Sequence, residues 1–313
     1  MSLDALKDGL TSVIRGKEAV IELFLAGILA RGHILIEDLP GTGKTSLARA
    51  VARLIGGDGD ALVYRRIQFT PDLLPYDITG VEVYDPARRR FFFAPGPVFA
   101  HVLLADEINR ATPKVQSALL EVMNEAQVTV GGVTYPLAPF FLVVATENPV
   151  TMEGTYPLPL AQLDRFVMRI CLGYPDRESE RAILDADPGR RVLPELSPAI
   201  SVAELTTARE EARSVFCHPN LKDAVVALAA ATRDDRRLRY GVSPRGSLHL
   251  LDAMRALAYL RGRDYVSDRE LDDLAVPVLA HRVRTVEGEP SATPIVRERA
   301  EEVLAAMREA DGV

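Results

Sequence analysis

Hydrophobic and polar positions follow two periods along the first half of the chain. Residues 18–30 place apolar side chains at helical spacing, and HILIE (33–37) is a short β-rich run ended by Asp38-Leu39-Pro40-Gly41. TSLARAVARLIGG (45–57) returns to helical spacing and should be stopped by Gly56 and Gly57. Further strands are predicted over LVYRRIQF (62–69), FAHVLLADE (99–107), PFFLVVATENP (139–149) and DRFVMRICL (164–172), with a helix over 114–126. Strands that are apolar throughout and alternate with helices predict a parallel sheet covered on both faces. Two stretches read as inserted hairpins: 80–96 around Asp85-Pro86, and 127–137 around the turn pair Gly131-Gly132.

The pattern changes after GYPDRESE (173–180). Helices are predicted over 178–186, 201–214, 219–233, 244–261, 267–284 and 293–309, with Pro and Gly clustered at 188–198 and 286–294. The expected organisation is an α/β domain over 1–175 and a smaller all-helical domain over 176–313. RDDRRLR (233–239) is mixed in sign and reads as a solvated helix end and turn.

Composition narrows the class. A chain of 313 residues has room for two domains. Its longest apolar candidate, AVIELFLAGILARG, is interrupted by Glu22 and is too short to span a bilayer, so no membrane insertion is expected. MSLDALKDGL carries acids and no uninterrupted apolar core, unlike a secretion signal. Cys171 and Cys217 have no metal or redox spacing, and His33, His101, His218, His249 and His281 are scattered. The expectation is a cytoplasmic, reduced protein without a metal of its own, apart from an ion that arrives with a ligand. The net charge of −7 disfavours a strong nonspecific nucleic-acid binder.

The candidate chemistry starts at IEDLPGTGKTSLARA (36–50), nearly a phosphate-binding loop. The full pattern is G-x-x-x-x-G-K-[ST]. Gly43, Lys44 and Thr45 fill its end, while Asp38 stands at its first glycine. A phosphate cradle needs converging backbone N–H groups that no side chain obstructs. Pro40, Gly41, Thr42, Gly43, Lys44, Thr45 and Ser46 are therefore the candidate nucleotide contacts. Lys44 can reach the β and γ phosphates, and Thr45 can put its hydroxyl on Mg²⁺. Position 38 lies at the strand end, where its side chain can point away, so an aspartate is tolerable.

HVLLADE is an apolar strand ending in adjacent acids, the Walker B form. Asp106 would hold Mg²⁺ through water and Glu107 would polarise the attacking water. Taken singly, the loop is an ordinary strand–turn–helix and the acids merely cap a strand. Both lie at strand C-terminal ends, where open α/β sheets bind ligands. Asn148, after another buried strand, could orient that water or simply turn the chain before Pro149. Arg165 precedes the last strand and Arg245 opens a later helix. Each has a bland reading as a surface charge, Arg165 with Asp164 as a neighbour.

Together EDLPGTGKT, RIQFTPDLLPYDITG, LLADEINRATPKVQSALLEVMNE, VVATENPVTMEGTYPLPLAQLDRF and GVSPRGSLHLL carry a resemblance. Over roughly residues 10 to 310 the chain resembles an AAA+ ATPase, closely the MoxR family. Phosphate loops of that family often lack the first glycine, so Asp38 is no departure. The resemblance implies a P-loop NTPase domain with a central parallel sheet followed by a helical lid. It implies ATP and Mg²⁺ as cofactors, Asn148 as sensor 1, Arg245 as sensor 2 in the lid, and Arg165 as an arginine finger acting on a neighbour's ATP. The two hairpins match the helix-2 insert and the pre-sensor-1 hairpin. The implied assembly is a ring, usually a hexamer. The implied role is that of a chaperone that assembles or activates other protein complexes, often beside a separate von Willebrand A domain protein.

Three rivals remain at this stage. A nucleic-acid motor could use ARRRFFF (87–93), where basic residues adjoin aromatics. Against it stand the net acidity and a simpler picture, a hairpin packed by its phenylalanines with its arginines in solvent. The ATPase subunit of a metal chelatase would need a separate catalytic subunit. A nucleotide-regulated scaffold would hydrolyse ATP very slowly.

Overall fold

The computed structural model describes residues 2–57, 60–149, 154–289 and 291–311. Residues 150–153 of the family-specific stretch lie outside them. The main sheet has five strands: β1 (His33–Glu37), β2 (Tyr64–Gln68), β3 (Val102–Asp106), β4 (Leu142–Glu147) and β5 (Phe166–Ile170). Their order is β5-β1-β4-β3-β2. β3 runs parallel to both neighbours, with Val102 opposite Tyr64 on one side and Leu142 on the other. Every residue of β3 is buried, and all of β4 except Glu147, as expected for strands covered on both faces. The same register carries Asp106 to a position opposite Gln68, so polar groups gather at the C-terminal ends.

By compactness the chain forms two units. The first comprises Met1–Glu18, Leu35–Leu158 and Cys171–Val202; the second comprises Ala19–Ile34, Pro159–Ile170 and Ala203–Val313.

In the first unit, the Lys44–Leu54 helix starts directly after Gly43 and buries Leu47, Ala48, Val51 and Leu54. It ends before the two glycines predicted to stop it. Ile55–Gly57 is instead a short strand, parallel to Ile200–Ser201 and antiparallel to Asp60–Ala61. Backbone partners there give the chain an alternative to another helical turn. A helix over Leu3–Val13, not foreseen as an element, is capped by the Ser2 hydroxyl and buries Leu6, Leu10 and Val13. Gly9 lets it approach Leu54, because a Cβ at Gly9 would lie 2.5 Å from the leucine side chain.

Both hairpins form: Gly80–Asp85 with Arg90–Pro95, and Gln127–Val130 with Val133–Pro136. Gly131 and Gly132 both have positive φ, as a two-residue turn of this kind requires. Only one of the three phenylalanines is shielded from solvent. Phe93 stacks on Tyr135 at 4.1 Å and meets Phe99 edge-on, while Phe91 is 64% and Phe92 46% exposed. The strand period explains this. Phe92 points away from the face that carries Phe93, and Phe91 lies near the tip beside Tyr84.

The second unit is built mainly from the helices Glu18–Leu29, Val202–Ser214, Pro219–Asp234, Pro244–Leu260, Asp268–Leu279 and Thr293–Asp311. The helix predicted over 267–284 ends at Leu279, with Pro277 inside its last turn. A 3₁₀ turn, Ala280–Arg282, follows, and Arg284–Thr285 pairs with Leu238–Tyr240. Proline removes a backbone donor, which weakens the helix where it gives way. Among the described residues no helix is long and apolar enough to cross a membrane.

Candidate active site

The loop after β1 curls through two glycines in the left-handed region, Gly41 at φ 85° and Gly43 at φ 98°. A Cβ at Gly41 would meet nothing within 4 Å, so that glycine answers a conformational need and leaves the cradle open. The helix that begins at Lys44 turns its free N–H groups toward the loop. The Lys44 ammonium donates to the Asp38 carbonyl at 2.9 Å and the Leu39 carbonyl at 2.5 Å. Asp38 is 4% exposed, and its carboxylate accepts two backbone N–H bonds, from Leu39 at 2.7 Å and Gly173 at 2.8 Å. Its charge is thus directed at amides outside the cradle.

A cavity of about 400 Å³ opens over the loop. One side is Pro40, Gly41, Gly43, Lys44, Thr45 and Ser46; the other is formed by strand ends, with Asp106, Glu107, Asn148 and their neighbours. The Thr45 hydroxyl and the Asp106 carboxylate are hard oxygen donors on one cavity, the kind a magnesium ion takes alongside phosphate oxygens.

The two acids are held differently. Asp106 Oδ1 accepts the Thr146 hydroxyl at 2.6 Å, and Oδ2 accepts Arg66 Nε at 3.1 Å and its NH2 at 2.6 Å. Glu107 lies in the left-handed region, φ 55° and ψ 51°. That conformation costs a non-glycine residue about 1–3 kcal/mol and needs support from its surroundings. Thr146 supplies it, accepting the Glu107 N–H at 2.8 Å. The Glu107 carboxylate accepts from Gln68 at 3.1 Å and Arg110 at 2.9 Å. One buried hydroxyl therefore sets both acids, donating to the first and accepting from the second.

Comparison with known proteins agrees with this geometry. The family model for the ATPase family associated with various cellular activities (AAA) matches residues 33–168, and the AAA lid domain matches 230–307. The chain is 44% identical to the chaperone MoxR1 of Mycobacterium tuberculosis, covering 87% of this chain and 72% of that protein. It is 36% identical to the protein MoxR of Paracoccus denitrificans, over 88% and 86%. The chain belongs to the MoxR family of AAA+ ATPases. A crystal structure of a proposed ATPase from Cytophaga hutchinsonii matches with a TM-score of 0.85 at 36% identity, covering 96% of this chain and 93% of that one.

As a MoxR-family member the chain is a nucleotide-binding ATPase of a generally oligomeric class. Of the anticipated residues, all but Thr42, Arg165 and Arg245 line the cavity. Thr42 braces the loop, its hydroxyl donating to Leu39 O at 3.2 Å. The two arginines belong to the second unit. Arg165 follows the short Leu160–Leu163 helix, and Arg245 is the second residue of the Pro244–Leu260 helix.

Arg66, Gln68 and Thr146 were not anticipated. The first two stand in RIQF, where polar side chains two apart at a strand end face one way. Thr146 is a hydroxyl in an otherwise apolar buried strand, and such a group needs partners.

Proposed function

We propose that this MoxR-family ATPase binds ATP with Mg²⁺ in the cavity and uses hydrolysis to remodel, assemble or activate other protein complexes. The observation that carries the reading is the meeting of the 40–46 loop, Asp106, Glu107 and Asn148 around one space. Lys44 exchanges its loop carbonyls for the β and γ phosphates. Thr45 and Asp106 hold the metal, which neutralises charge across the phosphates when bound. Glu107 polarises the attacking water and Asn148 orients it. Arg245 reaches the nucleotide from the lid, taken as 176–313 beside an α/β domain of 1–175. Arg165 acts on the ATP of a neighbouring copy.

A finger with work only at a neighbour's site requires copies packed head to tail, and the family resemblance implies that this packing closes into a ring, here a hexamer. The word chaperone in the name of the mycobacterial relative supports a protein client. A separate von Willebrand A domain protein is the expected helper, and the cytoplasm the expected compartment.

Lys44→Ala should abolish most ATP affinity in calorimetry; unchanged affinity sinks the assignment. Light scattering with a non-hydrolysable analogue should find the ring, and a strictly monomeric species contradicts it. A second reading, a motor on nucleic acid, draws on the exposed Phe91 and Phe92 beside Arg88, Arg89 and Arg90. A salt-sensitive affinity for single strands would favour it.

A further inference from the structure

A buried polar cluster in the second unit has no part in the reading above. At its centre is Arg282, whose side chain is fully buried. Its Nε donates to Asp164 Oδ1 at 3.0 Å, and NH1 donates to the Val167 carbonyl at 3.1 Å. NH2 donates to the Phe166 carbonyl and NH1 to that of Val278. NH2 also donates to His249 Nδ1, which therefore acts as an acceptor on a neutral ring. All three nitrogens of the guanidinium are engaged. Arg282 thus grips the 164–167 segment on either side of Arg165.

The Asp164 carboxylate reaches a second element. The Ser243 hydroxyl lies 3.2 and 3.3 Å from its two oxygens, while accepting the Gly246 N–H at 3.1 Å. Ser243 is the N-cap of the Pro244–Leu260 helix, which carries Arg245 at its second position. Gly246 brings that helix close to Arg282, since a Cβ there would lie 3.0 Å from Arg282 Cδ. A buried charged pair is a poor source of stability compared with apolar packing of the same volume. What it adds is orientation, because a planar fork with every donor engaged admits one arrangement of the chains around it.

We propose that Asp164 is a positioning residue for ATP hydrolysis: clamped by Arg282 and bonded to Ser243, it ties the Arg165 segment to the cap of the helix bearing Arg245, so that the two arginines are presented as one rigid piece. The inference rests on the roles proposed above for Arg165 and Arg245.

The test is a cycle of variants in the full-length protein, with rates read by single turnover and ATP affinity by calorimetry. Asp164→Asn should lower the rate about tenfold or more, with affinity changed less than about threefold. In an Arg165→Ala background the same substitution should add less than about a twofold loss, since its target is already gone. Ser243→Ala, a milder change for the fold, should show the same split between rate and affinity. Ser243→Thr, which keeps the hydroxyl, should recover most of the loss. Equal losses in both backgrounds, or rate and affinity falling together, overturn the proposal by making Asp164 merely structural. A crippled Arg165→Ala beside a fully active Asp164→Asn overturns it while sparing the finger reading. Full activity of Arg165→Ala overturns the finger reading and this inference with it.

Discussion

Two arginine–aspartate pairs occupy opposite regimes in this molecule. Arg66 holds Asp106 in the cavity with its side chain 47% exposed, and Arg282 holds Asp164 with its side chain fully buried. The first arginine keeps part of its fork in solvent and can exchange its partner. The second has no such freedom, because each nitrogen already faces protein acceptors. A site that must admit a charged ligand needs charges that can be re-paired, and a cluster that fixes geometry needs charges that cannot. Similar ion pairs thus do different work according to how much water reaches them.

The largest expected effect lies in the exchangeable region and touches chemistry without touching the fold. Glu107→Gln keeps the side-chain size and an acceptor for Gln68 and Arg110 but removes the carboxylate proposed above as the base. Hydrolysis should fall roughly 10²- to 10⁴-fold while ATP binding and the melting temperature hold. Turnover at the wild-type rate would mean that another group polarises the water.

Next comes the direct contrast. Arg282→Met leaves a carboxylate without its buried partner and should cost about 3–5 kcal/mol of unfolding free energy. Arg66→Met removes an arginine that is itself 47% exposed, and the buried Asp106 carboxylate keeps the Thr146 hydroxyl as a donor, so the cost should be smaller, about 1–2 kcal/mol. Urea titration of both variants measures the difference. Equal losses would abolish the distinction between the two regions.

The sequence conveys these regions unequally. The cavity was legible because its parts are local. A glycine-rich turn between strand and helix, and two acids ending an apolar strand, each announce themselves within ten or so residues. The main strands and most helices were legible for the same reason, through their periods. The Arg282 cluster was not. Arg282 lies in a stretch that reads as the end of a helix, and its partners Asp164 and Phe166 are distant in sequence. No period or motif marks a side chain whose meaning is a long-range hydrogen bond. Thr146 and the Leu3–Val13 helix were illegible in a milder way. The hydroxyl hides in an apolar run, and the helix was read only for what it is not.

Acid gives a smaller effect, confined to the saturated region. Burial, then the charges of Arg282 and Arg245, push the His249 pKa down to about 3, and burial also holds His281 well below its ordinary value. In the unfolded chain a histidine titrates near pH 6.5. As the pH falls, the unfolded state takes up the proton first. Stability is therefore full above about pH 6.5 and is lost progressively toward pH 3. By pH 5 His249 alone should cost up to about 2 kcal/mol. His249→Asn, which keeps an acceptor for Arg282 but does not titrate, should flatten part of that decline. Stability unchanged from pH 7 to pH 5 in the wild type would show that water already reaches these rings.

The smallest expected effect concerns Asp38, the residue that spoils the phosphate-loop pattern. Its carboxylate sits at the edge of the exchangeable region but is itself satisfied, by the amides of Leu39 and Gly173. Asp38→Gly restores the missing glycine, so a reading by motif alone expects tighter ATP binding. The geometry expects otherwise. The charge already faces away from the cradle, and Lys44 is drawn to the backbone carbonyl of Asp38, which any residue supplies. ATP affinity should change by less than about threefold, roughly 0.7 kcal/mol. Stability should fall instead, because the Gly173 N–H loses its acceptor and a glycine adds freedom to the unfolded chain. Asp38→Asn separates the two causes, keeping an acceptor while removing the charge. A gain in affinity above about tenfold in both variants, roughly 1.4 kcal/mol, would show that the carboxylate does repel the nucleotide. A gain in the glycine variant alone would point to the loop's flexibility rather than to charge.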